Sequence, residues 1–160
     1  MYLLYSKNKE IFFSIVISFI LILLQGFLPI IALSEGLIIT CDLFFIFLTF
    51  LAFNNSLYKV VIFAFFFGIF QDLVIQPETV GLSAFIKLVS VFFINYLNKI
   101  KELWSELASI SYLFLIYFFH YFLYHFVFVN ELSSLVVGFI FLETIFNLVI
   151  YIICDKIIFN

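Results

Sequence analysis

The chain of 160 residues contains no arginine, only two cysteines and two prolines, and only 11% of its residues are charged. A soluble domain is typically about a quarter charged and about half apolar, whereas 67% of this chain is hydrophobic. Such a composition cannot cover a water-facing surface, so it predicts an integral membrane protein. The scarcity of basic residues excludes the basic face that nucleic-acid binding needs. Cys41 and Cys154 form neither a disulfide framework nor a metal-site spacing.

Long apolar runs divide the chain into six segments that could cross a bilayer, for which about 20 residues are needed. The predicted spans are Ile11–Leu33, Leu37–Phe53, Val60–Ile75, Val80–Leu97, Leu107–Val129 and Ser133–Cys154. Their connections are too short to fold alone, so residues 1–160 are expected to form a single all-α transmembrane domain. In the longest polar connection, Asn98–Glu106, apolar residues at helical spacing predict either a short helix on the membrane surface or an ordinary interfacial loop.

The lysines are distributed unevenly among the connections. Six of the seven lie before the first predicted span, after the second, after the fourth and after the sixth: Lys7, Lys9, Lys59, Lys99, Lys101 and Lys156. The intervening connections carry Glu35, Glu78 and Glu131 and no lysine. Because cytoplasmic loops are enriched in lysine and arginine, the pattern predicts six crossings with both termini in the cytoplasm. The seventh lysine, Lys87, falls inside a span.

Each predicted span carries polar or small residues at helical spacing, which predicts one lipid-avoiding stripe per helix. The stripes comprise Ser14, Ser18 and Gln25; Asp42 and Thr49; Ala64, Gly68, Gln71 and Asp72; Ser83, Lys87 and Ser90; Tyr117, His120, Tyr121 and Tyr124; and Glu143 and Asn147.

Ionisable residues inside spans are costly, at least about 2.5–3.5 kcal/mol each at the bilayer centre, and should be paired. Asp72 and Lys87 fall in the outer halves of consecutive spans joined by a tight turn, which predicts an Asp72–Lys87 pair. His120 and Glu143 fall at similar depth on the next two spans, which predicts a second contact. His125 is rotated by about 140° from His120, so the two histidines should not share one site.

These residues admit two interpretations. Asp72, Lys87, His120, Glu143 and Asn147 could form a structural polar core that fixes helix register, or a proton path or substrate site. No nucleophile lies near a plausible base, and no phosphate-binding, zinc-protease or hydrolase motif is present. The sequence therefore predicts a protein that is not an enzyme, with no catalytic residues, metal or cofactor.

The segment Gly68–Ala84 resembles the signature of the MreD family, the rod shape-determining membrane proteins of bacteria. In that family a glycine is followed one turn later by an aspartate, a tight outer turn, and Gly-Leu-x-Ala at the start of the next span. Gly68, Asp72, Gly81 and Ala84 match this pattern. Length, number of spans and topology resemble the family along the whole chain, and Asp72 takes the family's acidic position.

The resemblance implies a non-enzymatic subunit of the cell-elongation complex in the bacterial inner membrane. Its expected partners are MreC, a single-span protein, together with the RodA glycosyltransferase, its penicillin-binding transpeptidase and the MreB filament, all within membrane lipid. The resemblance also implies an architecture similar to the substrate-binding subunits of energy-coupling-factor transporters.

Three hypotheses follow. The chain could be a scaffold that binds MreC and positions peptidoglycan synthesis. Alternatively, it could be a small-molecule-binding membrane subunit of a vitamin-type transporter, which should have a polar pocket open at the outer end. It could also be a proton-coupled carrier that uses His120 and Glu143, with activity that changes near the ordinary histidine pKa of about 6.5.

Overall fold

A computed structural model of the chain describes residues 2–27, 31–34, 37–75, 77–100, 103–128 and 134–159. Six helices form an antiparallel bundle: α1 (Tyr2–Gln25), α2 (Leu43–Asn54), α3 (Leu57–Ile75), α4 (Leu82–Ile100), α5 (Glu106–Phe128) and α6 (Ser134–Phe159). Between α1 and α2 lies one short antiparallel ladder, β1 (Ile31–Ser34) and β2 (Leu37–Ile39). The 3-10 turn Pro77–Thr79 joins α3 to α4. The predicted all-helical architecture is confirmed for the bundle.

Four helices are long and apolar enough to cross a membrane. Their candidate segments are Leu57–Ile75, Leu82–Ile100, Glu106–Val127 and Leu135–Ile157. Two further apolar helices are shorter, Ile11–Gln25 within α1 and the whole of α2. Many of the apolar side chains on the outside of the bundle are exposed, including Phe66 at 65% and Phe85 at 61%. Such a surface is typical of a membrane protein, whose outer face contacts lipid rather than water.

The first two predicted spans need correction. The helix α1 ends at Gln25 rather than continuing to Leu33, and residues 31–34 belong to β1. The second predicted span, Leu37–Phe53, is helical only from Leu43, because residues 37–39 pair with β1. At 1.5 Å per residue the 12 residues of α2 extend for about 18 Å, against about 30 Å for a hydrocarbon core. Hydropathy alone cannot distinguish this half-helix from a complete span.

The C-terminal end of α2 is held by amide side chains from α4. Asn95 Nδ2 donates hydrogen bonds to the carbonyl oxygens of Ala52 at 3.0 Å and Asn55 at 3.1 Å, and Asn98 Nδ2 donates to the Phe53 carbonyl at 2.7 Å. The last carbonyls of a helix have no partner within it, and hydrocarbon offers none. Because α4 supplies these partners, the C-terminal end of α2 is fixed to α4 at an end of the bundle where Asn54, Asn55 and Ser56 are exposed.

The helices α3 and α4 approach each other closely where Gly68 meets Ala84. A Cβ atom built on Gly68 would lie 2.6 Å from Ala84 Cα and 2.8 Å from Ala84 Cβ, so only glycine fits at this crossing. The turn before α4 contains Gly81 at φ +95°, a backbone conformation that favours glycine. The predicted tight turn and small-residue packing are therefore confirmed.

The connection between α4 and α5 is described only at residues 103–105, where Leu103 lies in a 3-10 turn, and residues 101–102 lie outside the described part of the chain. The helix α4 continues to Ile100 and α5 begins at Glu106. Trp104 packs edge-on against Tyr112 of α5, with ring centroids 5.5 Å apart. The choice between a surface helix and a loop falls on residues that lie partly outside the described ones, so both stay predictions.

Four exposed lysines mark one end of the bundle: Lys9, Lys59, Lys99 and Lys156. The end of α4 meets the end of α2 through Asn98, and Tyr151 of α6 packs on Phe50 of α2 with ring centroids 4.8 Å apart. The end of α2 also adjoins the start of α3 and the first apolar residues of α1. We call this the lysine end, and the opposite end, at Pro77–Thr79, the turn end.

Candidate functional site

The polar side chains of the bundle converge on the start of α2. Asp42 is the N-cap residue of this helix, and its Oδ1 accepts a hydrogen bond from the Phe45 amide at 2.9 Å. Its other oxygen, Oδ2, lies 2.8 Å from Lys87 Nζ, and the ammonium also donates to Ser83 Oγ at 2.9 Å. The two charged side chains are almost fully buried. An ion pair between α2 and α4 therefore neutralises both charges inside the bundle.

The predicted Asp72–Lys87 pair is wrong, because Asp72 binds backbone amides instead. Its Oδ2 accepts hydrogen bonds from the amide of Gly81 at 2.8 Å and from that of Ala84 at 3.4 Å. These amides belong to the residue before α4 and to its first turn, where amides have no partner within the helix. Asp72 thus caps α4 from the neighbouring helix, and the negative charge also complements the helix dipole.

His120 contacts α4 and α2 rather than α6. Its Nδ1 lies 3.0 Å from Ser90 Oγ, and because the single hydroxyl proton of Ser90 is donated to the Ile86 carbonyl, the ring nitrogen is the donor. Nε2 of His120 lies 4.0 Å from Asp42 Oδ2. The imidazole also stacks on Phe45, with centroids 3.9 Å apart.

The predicted His120–Glu143 contact is wrong, because Glu143 contacts the other histidine. Its Oε2 lies 2.8 Å from His125 Nε2, and its Oε1 accepts a hydrogen bond from Thr40 Oγ1 at 3.0 Å. The prediction that the two histidines engage different partners is confirmed. His120 and Glu143 were assumed to lie at equal depth, but the histidine beside Glu143 is His125. His125 lies five residues further along α5, which is more than one helical turn.

Asn147 binds the irregular backbone that precedes α2. Its Oδ1 accepts a hydrogen bond from the Asp42 amide at 2.9 Å, and its Nδ2 donates to the carbonyls of Thr40 at 3.0 Å and Glu143 at 3.1 Å. Asn147 is fully buried. One amide side chain therefore serves three backbone groups, two of which lie between β2 and α2.

All five predicted intramembrane polar residues are buried, and four of them surround residues 40–42: Lys87, His120, Glu143 and Asn147. Non-helical backbone at membrane depth is tolerated only where protein groups or a water-filled cavity satisfy it. The arrangement can therefore hold a broken helix in place, which favours the structural interpretation of these contacts. Among the residues that the structure describes, no group of three histidine, cysteine, aspartate or glutamate residues is placed to hold a metal ion.

Sequence reasoning missed the central position of Asp42. The signal was present, because an aspartate directly before an apolar run is a typical N-cap. Asn95 and Asn98 lie three residues apart on one face of α4. Their spacing could likewise have indicated that this face binds the backbone of a neighbouring helix. Nothing in the sequence indicated which carboxylate Lys87 would meet, since that depends on helix rotation.

The chain was compared with family models, with curated proteins and with solved structures, and none of the three gives a match.

Proposed function

We propose that this chain is a non-enzymatic scaffold subunit of the bacterial cell-elongation complex, of the MreD type, which binds an MreC-like single-span partner in the inner membrane. The observation that carries the proposal is the convergence of the four residues of the family resemblance on one contact. Gly68 packs against Ala84, while Asp72 binds the amides of Gly81 and Ala84. Four residues that are spread over 17 positions of sequence thus all take part in the contact that holds α3 against α4.

The proposal includes six crossings with both termini in the cytoplasm. Four long helices supply four of them, and α1 supplies another. We assign the second crossing to α2 together with residues 37–42, in which Glu143 and Asn147 bind the backbone of Thr40. The exposed lysines at one end of the bundle support this orientation, because cytoplasmic surfaces are enriched in lysine.

A scaffold role suits the shape of the chain. Nearly all of its described residues belong to the bundle, so a partner would contact helix faces or short connections. A single-span partner could pack on such a face through van der Waals contact, which is a main source of helix association in membranes. The RodA glycosyltransferase, its penicillin-binding transpeptidase and MreB enter this proposal by family resemblance alone.

The proposal predicts a graded effect of substitutions at Asp72. Asp72→Ala removes the cap from α4 and is expected to cost about 1–2 kcal/mol, whereas Asp72→Asn keeps one acceptor oxygen and should cost less. In the bacterial host, Asp72→Ala should lower the amount of protein and round the cells. Asp155→Ala, near the end of α6, removes a carboxylate outside this contact and serves as the control.

The partner is tested by purifying the chain in mild detergent together with a co-expressed MreC-like protein. Co-elution with the partner is expected for the native chain and for Asp155→Ala, and weaker co-elution for Asp72→Ala. If the native chain elutes alone, and Asp72→Ala leaves both protein level and cell shape unchanged, the scaffold proposal fails.

One observation favours the alternative, a small-molecule-binding subunit of a vitamin-type transporter similar to those of energy-coupling-factor systems. That role requires a polar pocket at the outer end, and a cavity whose lining includes several polar and charged side chains is present at the turn end of the bundle. A transport role predicts co-purification with an ATPase module rather than with an MreC-like protein.

A further inference from the structure

A cavity of about 220 Å³ lies among α1, α3, α4, α5 and α6, next to the start of α2. Its lining includes Gln25 and Gly26 at the end of α1 and Ile75 at the end of α3, so it opens towards the turn end. The ion pair of Asp42 and Lys87 forms part of its wall. A space of this size holds several water molecules or one small organic molecule.

Two buried polar atoms in the lining have no hydrogen-bond partner. They are Oε1 of Gln71, a residue only 5% exposed, and the hydroxyl oxygen of Tyr121, a residue only 3% exposed. The amide nitrogen of Gln71 is engaged, because it donates to Gln25 Oε1 at 3.2 Å. Buried polar atoms are nearly always satisfied. Gln71 Oε1 can only accept a hydrogen bond, whereas the Tyr121 hydroxyl can donate or accept one. A molecule in the cavity that offers hydrogen-bond donors would therefore satisfy both oxygens.

The charges of the lining restrict the class of that molecule. Three carboxylates, Asp42, Asp72 and Glu143, face one ammonium, Lys87. The excess stays negative when either His120 of the lining or His125, which binds Glu143, carries a proton, and only protonation of both histidines would cancel it. A negative ligand would add to this excess in a poorly solvated site, whereas a positive one would be attracted. An ammonium group also offers the donors that Gln71 Oε1 and the Tyr121 oxygen lack.

We propose that this cavity binds a small organic cation, a molecule with a primary ammonium group, which enters from the turn end. The aromatic ring of Tyr121 would add a cation–π attraction. This inference rests on neither role proposed above: loss of the partner would leave the charge preference of the cavity intact, and loss of the charge preference would leave partner binding intact.

Cys41 is a native probe of the cavity, because it is half-buried in the lining. In purified protein that carries Cys154→Ser, its labelling rate is measured with three methanethiosulfonates of equal length, bearing aminoethyl, hydroxyethyl or sulfonatoethyl groups. Each rate is divided by the rate with free 2-mercaptoethanol, which removes differences in intrinsic reactivity. The cationic reagent is expected to react at least about tenfold faster than the anionic one, with the neutral reagent between them.

Occupancy is measured by protection of Cys41 from the neutral reagent. An excess of ethanolamine should slow labelling, whereas ethylene glycol and glycolate should not. Gln71→Leu and Tyr121→Phe should each abolish the protection without lowering the unfolding temperature of the ligand-free protein, since each removes an unsatisfied atom. Equal rates for the three reagents would mean that the lining does not select a cation, and equal protection by ethylene glycol would mean that an ammonium group is not required. Either result would overturn the proposal. If either variant does not fold, the three-reagent comparison on the Cys154→Ser protein decides the matter.

Discussion

Lys87→Met is expected to destabilise the protein by about 3–5 kcal/mol, the typical cost of breaking a buried ion pair by removing one partner. The substitution keeps an unbranched side chain of similar length but removes the ammonium from Asp42 Oδ2. The carboxylate then remains buried at the start of α2 without a cation, and Ser83 Oγ loses its donor. Unfolding of the purified protein by titration with sodium dodecyl sulfate in mixed micelles measures the loss.

A second substitution identifies the true partner of Lys87. Asp42→Asn added to Lys87→Met removes the uncompensated charge, while the remaining side-chain oxygen can still cap the Phe45 amide. Much of the lost stability should therefore return, because replacing a buried pair by neutral groups is often nearly neutral. Asp72→Asn added to Lys87→Met is the matched control and should restore nothing. Rescue by Asp72→Asn instead would show that Lys87 pairs within the α3–α4 hairpin.

Gly68→Ala is expected to cost about 2–3 kcal/mol, although alanine is normally the better helix residue. The new methyl group would lie 2.6 Å from the backbone Cα of Ala84, which cannot rotate away. The helices α3 and α4 must separate, and overpacking of this kind typically costs about 1–3 kcal/mol. Separation would also lengthen the hydrogen bonds between Asp72 and the start of α4. The same unfolding titration measures the effect.

Gly138→Ala is the matched control, because nothing lies within 4 Å of a Cβ atom at that position of α6. There the same substitution should stabilise the protein by about 0.5–1 kcal/mol. Ala84→Gly combined with Gly68→Ala should restore only part of the stability, since it removes the contact at 2.8 Å but not the one at 2.6 Å. Equal effects of alanine at positions 68 and 138 would contradict close packing of this hairpin.

The sequence was sufficient to predict helices that are apolar enough to cross a membrane, the α3–α4 hairpin and the buried faces. Composition excludes a water-facing surface, and the hairpin is local, with Pro77 in its turn and Gly81 at its end. Helical spacing of polar residues also identified buried positions correctly, including Ser18 and Thr49. These features depend on residues that are close in the sequence, and the helical spacing of polar and apolar residues predicts such features directly.

The partners of the buried charges could not be predicted in the same way. Lys87 was assigned to Asp72 of the preceding span, whereas α4 also packs on α2 and turns this lysine towards Asp42. Glu143 meets His125 rather than His120 because depth counted along two helices ignores their offset. Side-chain contacts between helices depend on rotation and translation, and a single sequence specifies neither.

The broken second segment was missed for a different physical reason. Residues 37–53 are uniformly apolar apart from Thr40, Asp42 and Thr49, so hydropathy resembles that of one span. The strand pairing of residues 37–39 and the cap at Asp42 divide it. What makes the division possible lies far away in the sequence: Asn147 of α6 binds the Asp42 amide, and Lys87 of α4 pairs with the Asp42 carboxylate.

The central claim is that this half-helix and the preceding strands together complete a membrane crossing. Its most direct test places single cysteines at Phe27, just after α1, and at Ser56, between α2 and α3, in a chain with Cys41→Ser and Cys154→Ser; both positions are exposed. Right-side-out vesicles are treated with a membrane-impermeant maleimide. We predict labelling of Phe27→Cys in intact vesicles and of Ser56→Cys only after permeabilisation, whereas labelling of both positions from the same side would contradict the account.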